Sequence, residues 1–290
     1  MDTKALRQKV LDLAIRGKLV PQDPNDEPAS VLLERIRQEK QQMAKDGKLK
    51  AKDIKNDTII FVGEDNLHYE KFANGSVKCI EEEIPFDLPE GWVWVRLSSI
   101  ADMALGKMLD VAKNKGSLRP YLRNVNVRWG TFELSDVLDM RFEDDELERY
   151  SIRHGDLVIC EGGEPGRCAV WQSEEVVFYQ KALHRVRAIE VLPEYLYYVI
   201  RHFITSTQYE RYYTGTTIKH LTGQSLQVLP IPLPPMSEQQ LIVKHLQHII
   251  GEIDKVETEK SEALSLVSLA KSKILNLAIR GQLVPQDPAD

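Results

Sequence analysis

Three cysteines in 290 residues, Cys79, Cys160 and Cys168, are too few and too scattered to staple a fold. No Cys-x-x-Cys pair occurs, so neither a disulfide framework nor a zinc site is indicated, and reduced thiols in a cytosol are expected. No apolar run approaches the roughly 20 residues that span a bilayer, which gives a non-membrane expectation. The opening Met1-Asp2-Thr3-Lys4 leads into an amphipathic stretch without an apolar signal core. Catalytic signatures are also missing. Gly162 to Arg167 lacks the Gly-Lys-Ser/Thr ending of a phosphate-gripping loop. Pro234-Pro235 is flanked by Leu233 and Met236, so the Asn/Asp-Pro-Pro-aromatic motif of enzymes that methylate a flipped base is absent. His68, His154, His184, His202, His220, His245 and His248 have no metal-ligand spacing with carboxylates or cysteines. No catalytic residue and no metal are assigned.

What the chain does have is an internal repeat. Lys9–Asp26 reads KVLDLAIRGKLVPQDPND and Lys273–Asp290 reads KILNLAIRGQLVPQDPAD, identical at 14 of 18 positions. Each copy is an amphipathic helix closed at Arg-Gly, where Gly17 or Gly281 can turn left-handed. An extended Leu-Val-Pro-Gln-Asp-Pro follows, because each proline disfavours helix before it. The copies stand at opposite ends of the chain, which reads as the seam of a larger duplicated arrangement.

Between them the pattern predicts a helix over residues 3–16 with Leu6, Val10 and Leu13 on one face. A second helix, capped by Asp26 or Ser30, runs to about Lys45 with Leu32 or Leu33, Ile36 and Met43 inward. Short strands are expected at 58–62 and 77–80, then a mixed α/β region from Leu88-Pro89-Glu90-Gly91-Trp92 onward. Asp156–Cys160 and Cys168–Trp171 read as buried strands around a glycine-rich loop, and Pro193 opens a tyrosine-rich helix. Four prolines make 226–235 unfit for a central strand. Ser237 with Gln240 reads as a capping box. After it Ile242, Leu246, Ile249, Ile253, Val256, Lys260, Ala263, Val267, Ala270, Ile274 and Leu277 recur at spacings of four and three. Such a helix is roughly 65 Å long at 1.5 Å per residue and needs a partner for its stripe. The fold class is therefore α+β, with a mixed α/β domain, a long antiparallel coiled-coil helix and short N-terminal helices. The units are 1–57, a linker with short strands at 58–85, a domain at 86–235, and the long helix at 236–290.

Charge is segregated. The chain carries a net −6, yet 106–128 carries a net +5 and 129–148 a net −7. This permits a basic face and equally suits ordinary solvated surface.

These features together resemble the specificity (S) subunit of Type I restriction–modification systems. The resemblance rests on Leu11–Gln22 and its copy, Leu88–Trp92, Tyr121–Val127, Gly155-Asp156-Leu157, Gly215–Leu221 and Pro230–Pro235, in family order along nearly the whole chain. It implies a non-catalytic subunit in which target-recognition domains, joined by paired long helices, each read half of a split site in double-stranded DNA. Methyltransferase (M) subunits and restriction (R) subunits are its implied partners. No cofactor is implied for this chain, whereas S-adenosylmethionine, ATP and Mg are implied for the partners. This sequence departs from the pattern in having one recognition domain, so it resembles half of a subunit. It is either a natural half-subunit that forms a homodimer or a fragment. The DNA-binding candidates are polar residues beside glycine turns or strand ends: Lys107, Asn124, Asn126, Arg128, Arg167, Lys181, Thr216, Thr217, Lys219, His220 and Gln224. Each also suits a solvated loop, and Thr216 and Thr217 suit a turn; Lys219 is the foremost phosphate contact. The helix-pairing candidates are Ile242, Leu246, Ile249, Ile253, Val256, Val267, Ile274 and Leu277. A coiled-coil adaptor that binds protein through the mixed domain is the other reading.

Overall fold

The computed structural model describes residues 2–50, 54, 57–205, 207–215 and 219–284. Helix α1 (Thr3–Ile15) is capped by the Asp2 carboxylate, which accepts from the Ala5 N–H at 3.0 Å. It closes as the repeat motif predicts: Gly17 has φ +66°, and the Lys18 N–H returns to the Leu13 carbonyl at 2.7 Å. A Cβ on Gly17 would stand 2.5 Å from Pro89 Cγ, so this glycine also lets the motif seat against the 88–92 segment. The buried face is Val10, Leu11, Ala14 and Ile15. That face is rotated from the expected one, since Leu6 is exposed and Leu13 only half-buried.

Helix α2 (Ala29–Lys45) buries Leu32, Leu33 and Ile36. Neither Asp26 nor Ser30 caps it. Pro28 holds the cap position, and the Ala29 N–H is satisfied at 2.8 Å by the Gly91 carbonyl, so no side-chain cap is needed. The segment at 58–85 holds three antiparallel strands rather than two: β1 (Ile59–Val62), β2 (His68–Lys71) and β3 (Val77–Cys79), with β2 central. A buried ion cluster ties this small sheet to the main domain. The Arg96 guanidinium contacts Glu70 at 2.6 Å and Glu83 at 2.8 Å, and Thr58 donates to Glu70 at 2.6 Å.

The main domain runs through β4 (Val93–Arg96), the single turn α3 (Leu97–Ile100), β5 (Ala101–Leu105), β6 (Ser117–Leu122), β7 (Val127–Arg128) and β8 (Thr131–Phe132). It continues with β9 (Leu138–Phe142), β10 (Ser151–Ile152), β11 (Leu157–Cys160), β12 (Cys168–Val170), β13 (Val177–Tyr179) and β14 (Leu183–Ala188). Helices α4 (Pro193–Ile204) and α5 (Gly223–Gln227), strand β15 (Pro230–Leu233) and helix α6 (Met236–Ile279) complete the chain. Two four-stranded sheets form, β12-β11-β14-β5 and β10-β13-β6-β9, the second mixed because β13 runs parallel to β6. The first sheet is buried on both faces, so β11 reads as an unbroken apolar run. Its Leu157 and Ile159 join the core shared with the helices. Val158 and Cys160 pack instead with Leu122, Val177 and Tyr179 of the second sheet. The proline-rich β15 pairs only with β4, in a two-stranded sheet where its missing donors do not interrupt a ladder.

The expected capping box at Ser237 does not form. Helix α6 begins one residue earlier with Pro235 at the cap and no side-chain cap bond. Glu238 and Gln239 face inward instead. The Gln239 amide accepts from the Leu192 N–H and donates to the Pro234 carbonyl, both at 3.1 Å. The helix spans 44 residues, about 66 Å at 1.5 Å per residue.

Helix α1 lies antiparallel on its first half. Thr3 bonds Glu257, Arg7 pairs with Asp254 and Glu257, and Gly17 sits by Trp92, which bonds Glu238. This divides the expected helix-pairing stripe. Ile242, Leu246 and Ile253 are buried within the chain by α1 and α4, and Ile249 is half-buried, so these are not free pairing positions. Val256, Val267 and Ile274 are exposed and Leu277 is half-buried.

Candidate nucleic-acid interface

The strands deliver their ends to one rim. Gly106 N–H bonds the Leu183 carbonyl at 3.0 Å, and Lys107 N–H bonds the Tyr179 carbonyl at 3.1 Å. The Gln180 N–H reaches the Leu122 carbonyl at 3.1 Å, and the Glu161 N–H reaches the Ala182 carbonyl at 2.9 Å. The carboxyl ends of β5, β6, β11 and β13 therefore meet, and the loops that follow them pack side by side. A fifth segment joins them, because the Leu221 N–H bonds the Glu161 carbonyl at 2.7 Å. Glycine is required at the closest approaches. A Cβ on Gly106 would stand 2.2 Å from the Gln180 carbonyl oxygen, and one on Gly162 2.9 Å from the His220 ring.

Most of the expected DNA-binding residues are brought to this rim, in unequal states. Lys107 is buried, its ammonium paired with Glu146 and 5.3 Å above the Phe142 ring. Asn126 is buried; its oxygen accepts from the Arg123 N–H at 2.9 Å, and its amide donates to the Glu133 and Asp136 carbonyls at 3.0 and 2.9 Å. These two hold loops in place, which corrects their assignment as base or phosphate contacts. Asn124 donates to the Gly162 carbonyl at 2.9 Å. Arg167 clamps the same junction, bonding the Asn124 carbonyl at 2.8 Å and Glu164 at 2.9 Å. Lys219 is exposed, pairs with Glu210 at 3.2 Å and lies 5.6 Å from the Tyr213 ring centre, and His220 beside it is exposed. Lys181 and Arg128 are exposed, and their side chains make no hydrogen bond or ion pair among the described residues, although Arg128, on the β7–β8 hairpin, acts electrostatically on Glu133. Gln224 is exposed on α5, where it lines a groove with Glu83, Arg211 and Tyr212 rather than the rim. Thr216 and Thr217 lie outside the described residues.

The charge segregation read from the sequence is partly cancelled in space. Strands β6 and β9 pair antiparallel, which lays the basic stretch beside the acidic one. Besides Lys107 with Glu146, Arg123 pairs with Asp136 at 2.6 Å. The positive charge on the rim left without an ion pair among the described residues is therefore local, at Lys181 and Arg128, since Lys219 is paired with Glu210.

Two titratable groups under the rim are set by burial. The Cys160 thiol is pushed up to about 11, an inert thiol rather than a nucleophile. The His184 imidazole is held below its ordinary range by burial and bonds the Leu221 carbonyl through Nε2 at 3.0 Å. No three His, Cys, Asp or Glu side chains among the described residues are placed to share a metal ion. A cavity of about 560 Å³ lined by Gln8, Asp12, Arg16, Phe86, His202 and Tyr209 shares no residue with the rim.

The family described as "Type I restriction modification DNA specificity domain" matches residues 89–265. The chain is 26% identical over 343 residues to the Type I restriction enzyme EcoAI specificity subunit of Escherichia coli, covering 99% of this chain and 53% of that protein. It is 27% identical to the EcoEI specificity subunit of Escherichia coli, covering 99% and 52%. The chain thus spans about half the length of the curated relatives it matches. Its fold is similar to a chain from a structure of the type I R-M system concerned with complex assembly and conformational transition, at TM-score 0.56 and 22% identity over 69% of this chain and 48% of that one. It is also similar to the HsdS subunit from Thermoanaerobacter tengcongensis, at TM-score 0.50 and 21% identity over 69% and 47%. With more than half of its length matched, this chain belongs to the Type I restriction–modification DNA specificity domain family.

Proposed function

We propose that this chain is the sequence-reading part of a Type I restriction–modification complex and recognises one half of a bipartite site in double-stranded DNA. The observation that carries this reading is the rim, where five polar segments converge with Lys181 and Arg128 unpaired, on a domain of the specificity family. Its loops supply amides and cations to base edges in the major groove, and its free cations hold the phosphate backbone. Methylation and cleavage belong to partner methyltransferase and restriction subunits, with their S-adenosylmethionine, ATP and Mg. The adaptor reading leaves the family match without a role and is not favoured.

The repeat supports a half-subunit that pairs through α6. In the first copy Val10, Leu11, Ala14 and Ile15 are buried against the chain's own core. Their counterparts Ile274, Leu275, Ala278 and Ile279 are all exposed. Among the described residues nothing covers this packing face on the tail of α6, and a second copy of the chain is the partner that fills it. A two-fold homodimer sets two readers at a fixed separation and calls for a palindromic bipartite site. Sequencing the methylome of cytoplasmically expressing cells, with the cognate methyltransferase and with or without this chain, tests the reading. A methylated motif that depends on the chain supports it; an assembled complex with no chain-dependent motif rejects it.

A further inference from the structure

The residues between β13 and β14 cross from one sheet to the other, and they form a tight turn. The Leu183 N–H bonds the Gln180 carbonyl at 3.2 Å. Ala182 has φ +83°, whereas Lys181 is not in the positive-φ region, which defines a type II turn whose third position favours glycine. A side chain there is held against an intrinsic cost, a mark of positions fixed by their surroundings for a purpose. The surroundings are visible: Gln180 N–H to Leu122 at 3.1 Å, Lys181 N–H to Lys107 at 2.6 Å, and the Ala182 carbonyl to Glu161 at 2.9 Å. Three separate loops lock the backbone of this turn at the centre of the rim.

The Gln180 side chain is half-exposed and makes no hydrogen bond among the described residues. The other amides of the rim are committed. Asn126 is saturated by three bonds, and Asn124 donates to Gly162 while its oxygen is buried. Adenine is recognised in the major groove by an amide that donates to N7 and accepts from N6, so both ends must be free. Gln180 has both, on a backbone that is already immobilised, next to the unpaired cation of Lys181.

We propose that Gln180 is a base-reading residue that specifies an adenine in the half-site, with Lys181 holding the adjoining phosphate. This rests on the DNA-reading function proposed above and assigns one position of it to one side chain. The test compares methylomes from cells carrying the methyltransferase with wild-type chain, Gln180→Ala, Gln180→Glu or Lys181→Ala. It adds anisotropy of each purified complex on the wild-type motif and on a scrambled duplex. Both Gln180 variants should relax a single A·T position of the motif. They should weaken motif binding about tenfold or more and leave scrambled binding unchanged for Gln180→Ala. Lys181→Ala should weaken both duplexes alike and lower the salt slope by about one. If wild type imposes a motif and both Gln180 variants keep it unrelaxed, Gln180 is not the reader. A wild-type chain that imposes no motif overturns the DNA-reading function itself, and this inference with it.

Discussion

The indole Nε1 of Trp92 donates to the Glu238 carboxylate at 2.9 Å in a buried contact that joins the main domain to the first turn of its long helix. Burial raises the Glu238 carboxyl above its ordinary range, the expected effect of low dielectric on a charge with one hydrogen-bond donor. Glu238→Ala leaves the indole N–H without a partner, at a cost of roughly 1–3 kcal/mol. Thermal unfolding should register that loss. Hydrogen exchange should speed up first at 236–245, the first turns of the helix.

The two copies of the repeat give a matched pair of substitutions. Leu11 is 2% exposed and Leu275, its counterpart, is 62% exposed. Leu11→Ala should destabilise the fold by about 2–5 kcal/mol, as a large-to-small change in a packed core. Leu275→Asp should leave the unfolding midpoint of the monomer nearly unchanged and shift dimer to monomer in analytical ultracentrifugation. Equal effects at the two sites would contradict the proposed pairing face.

Arg96 and Glu70 are 4% and 5% exposed, and together they fasten the small sheet to β4. Removing Arg96 strands the buried Glu70 carboxylate, a loss of about 3–5 kcal/mol, whereas removing Glu70 leaves Arg96 its second partner, Glu83. Arg96→Met should therefore lower stability steeply in denaturant titration. Glu70→Ala combined with Arg96→Met, which removes both charges, should recover part of it.

Acid sensitivity should come from two buried imidazoles. Burial holds His184 and His202 below the ordinary value of 6.5, so the folded state keeps them neutral while the unfolded chain takes up protons. Stability is then fully present above about 6.5 and declines as pH falls toward the lowered folded values, by up to about 1.4 kcal/mol per pH unit for each group. Denaturation at pH 7.0, 6.5, 6.0 and 5.5 should show this fall. His184→Gln with His202→Gln should flatten it.

The long helix, the two short ones, the glycine closures and the buried β11–β12 pair are all legible in the sequence, because each rests on local periodicity or turn chemistry. What was not legible depends on partners far away in the chain. The middle strand His68-Tyr69-Glu70-Lys71 carries no apolar alternation, since Glu70 is buried by pairing with Arg96. The apolar stripe of α6 reads as one continuous seam, yet its first half is filled by α1 and only the second half is free. Among the candidate site residues, polarity beside a glycine turn found the right loops but could not separate Lys107 and Asn126, which hold the rim together, from Lys181 and Arg128, which face outward. Gln180 stands between the end of β13 and the candidate Lys181, so its polarity is visible in the sequence; its side chain's freedom from hydrogen bonds is not, because that depends on loops far away in the chain.

The most direct measurement is salt-titrated anisotropy of this chain, assembled with its methyltransferase, on two duplexes of equal length. One contains the chain-dependent methylation motif and the other scrambles it. Binding to both should fall linearly in log–log form as salt rises, with the motif bound at least about a thousandfold more tightly at physiological salt. Equal affinity for the two duplexes, or binding indifferent to salt, would contradict the DNA-reading function.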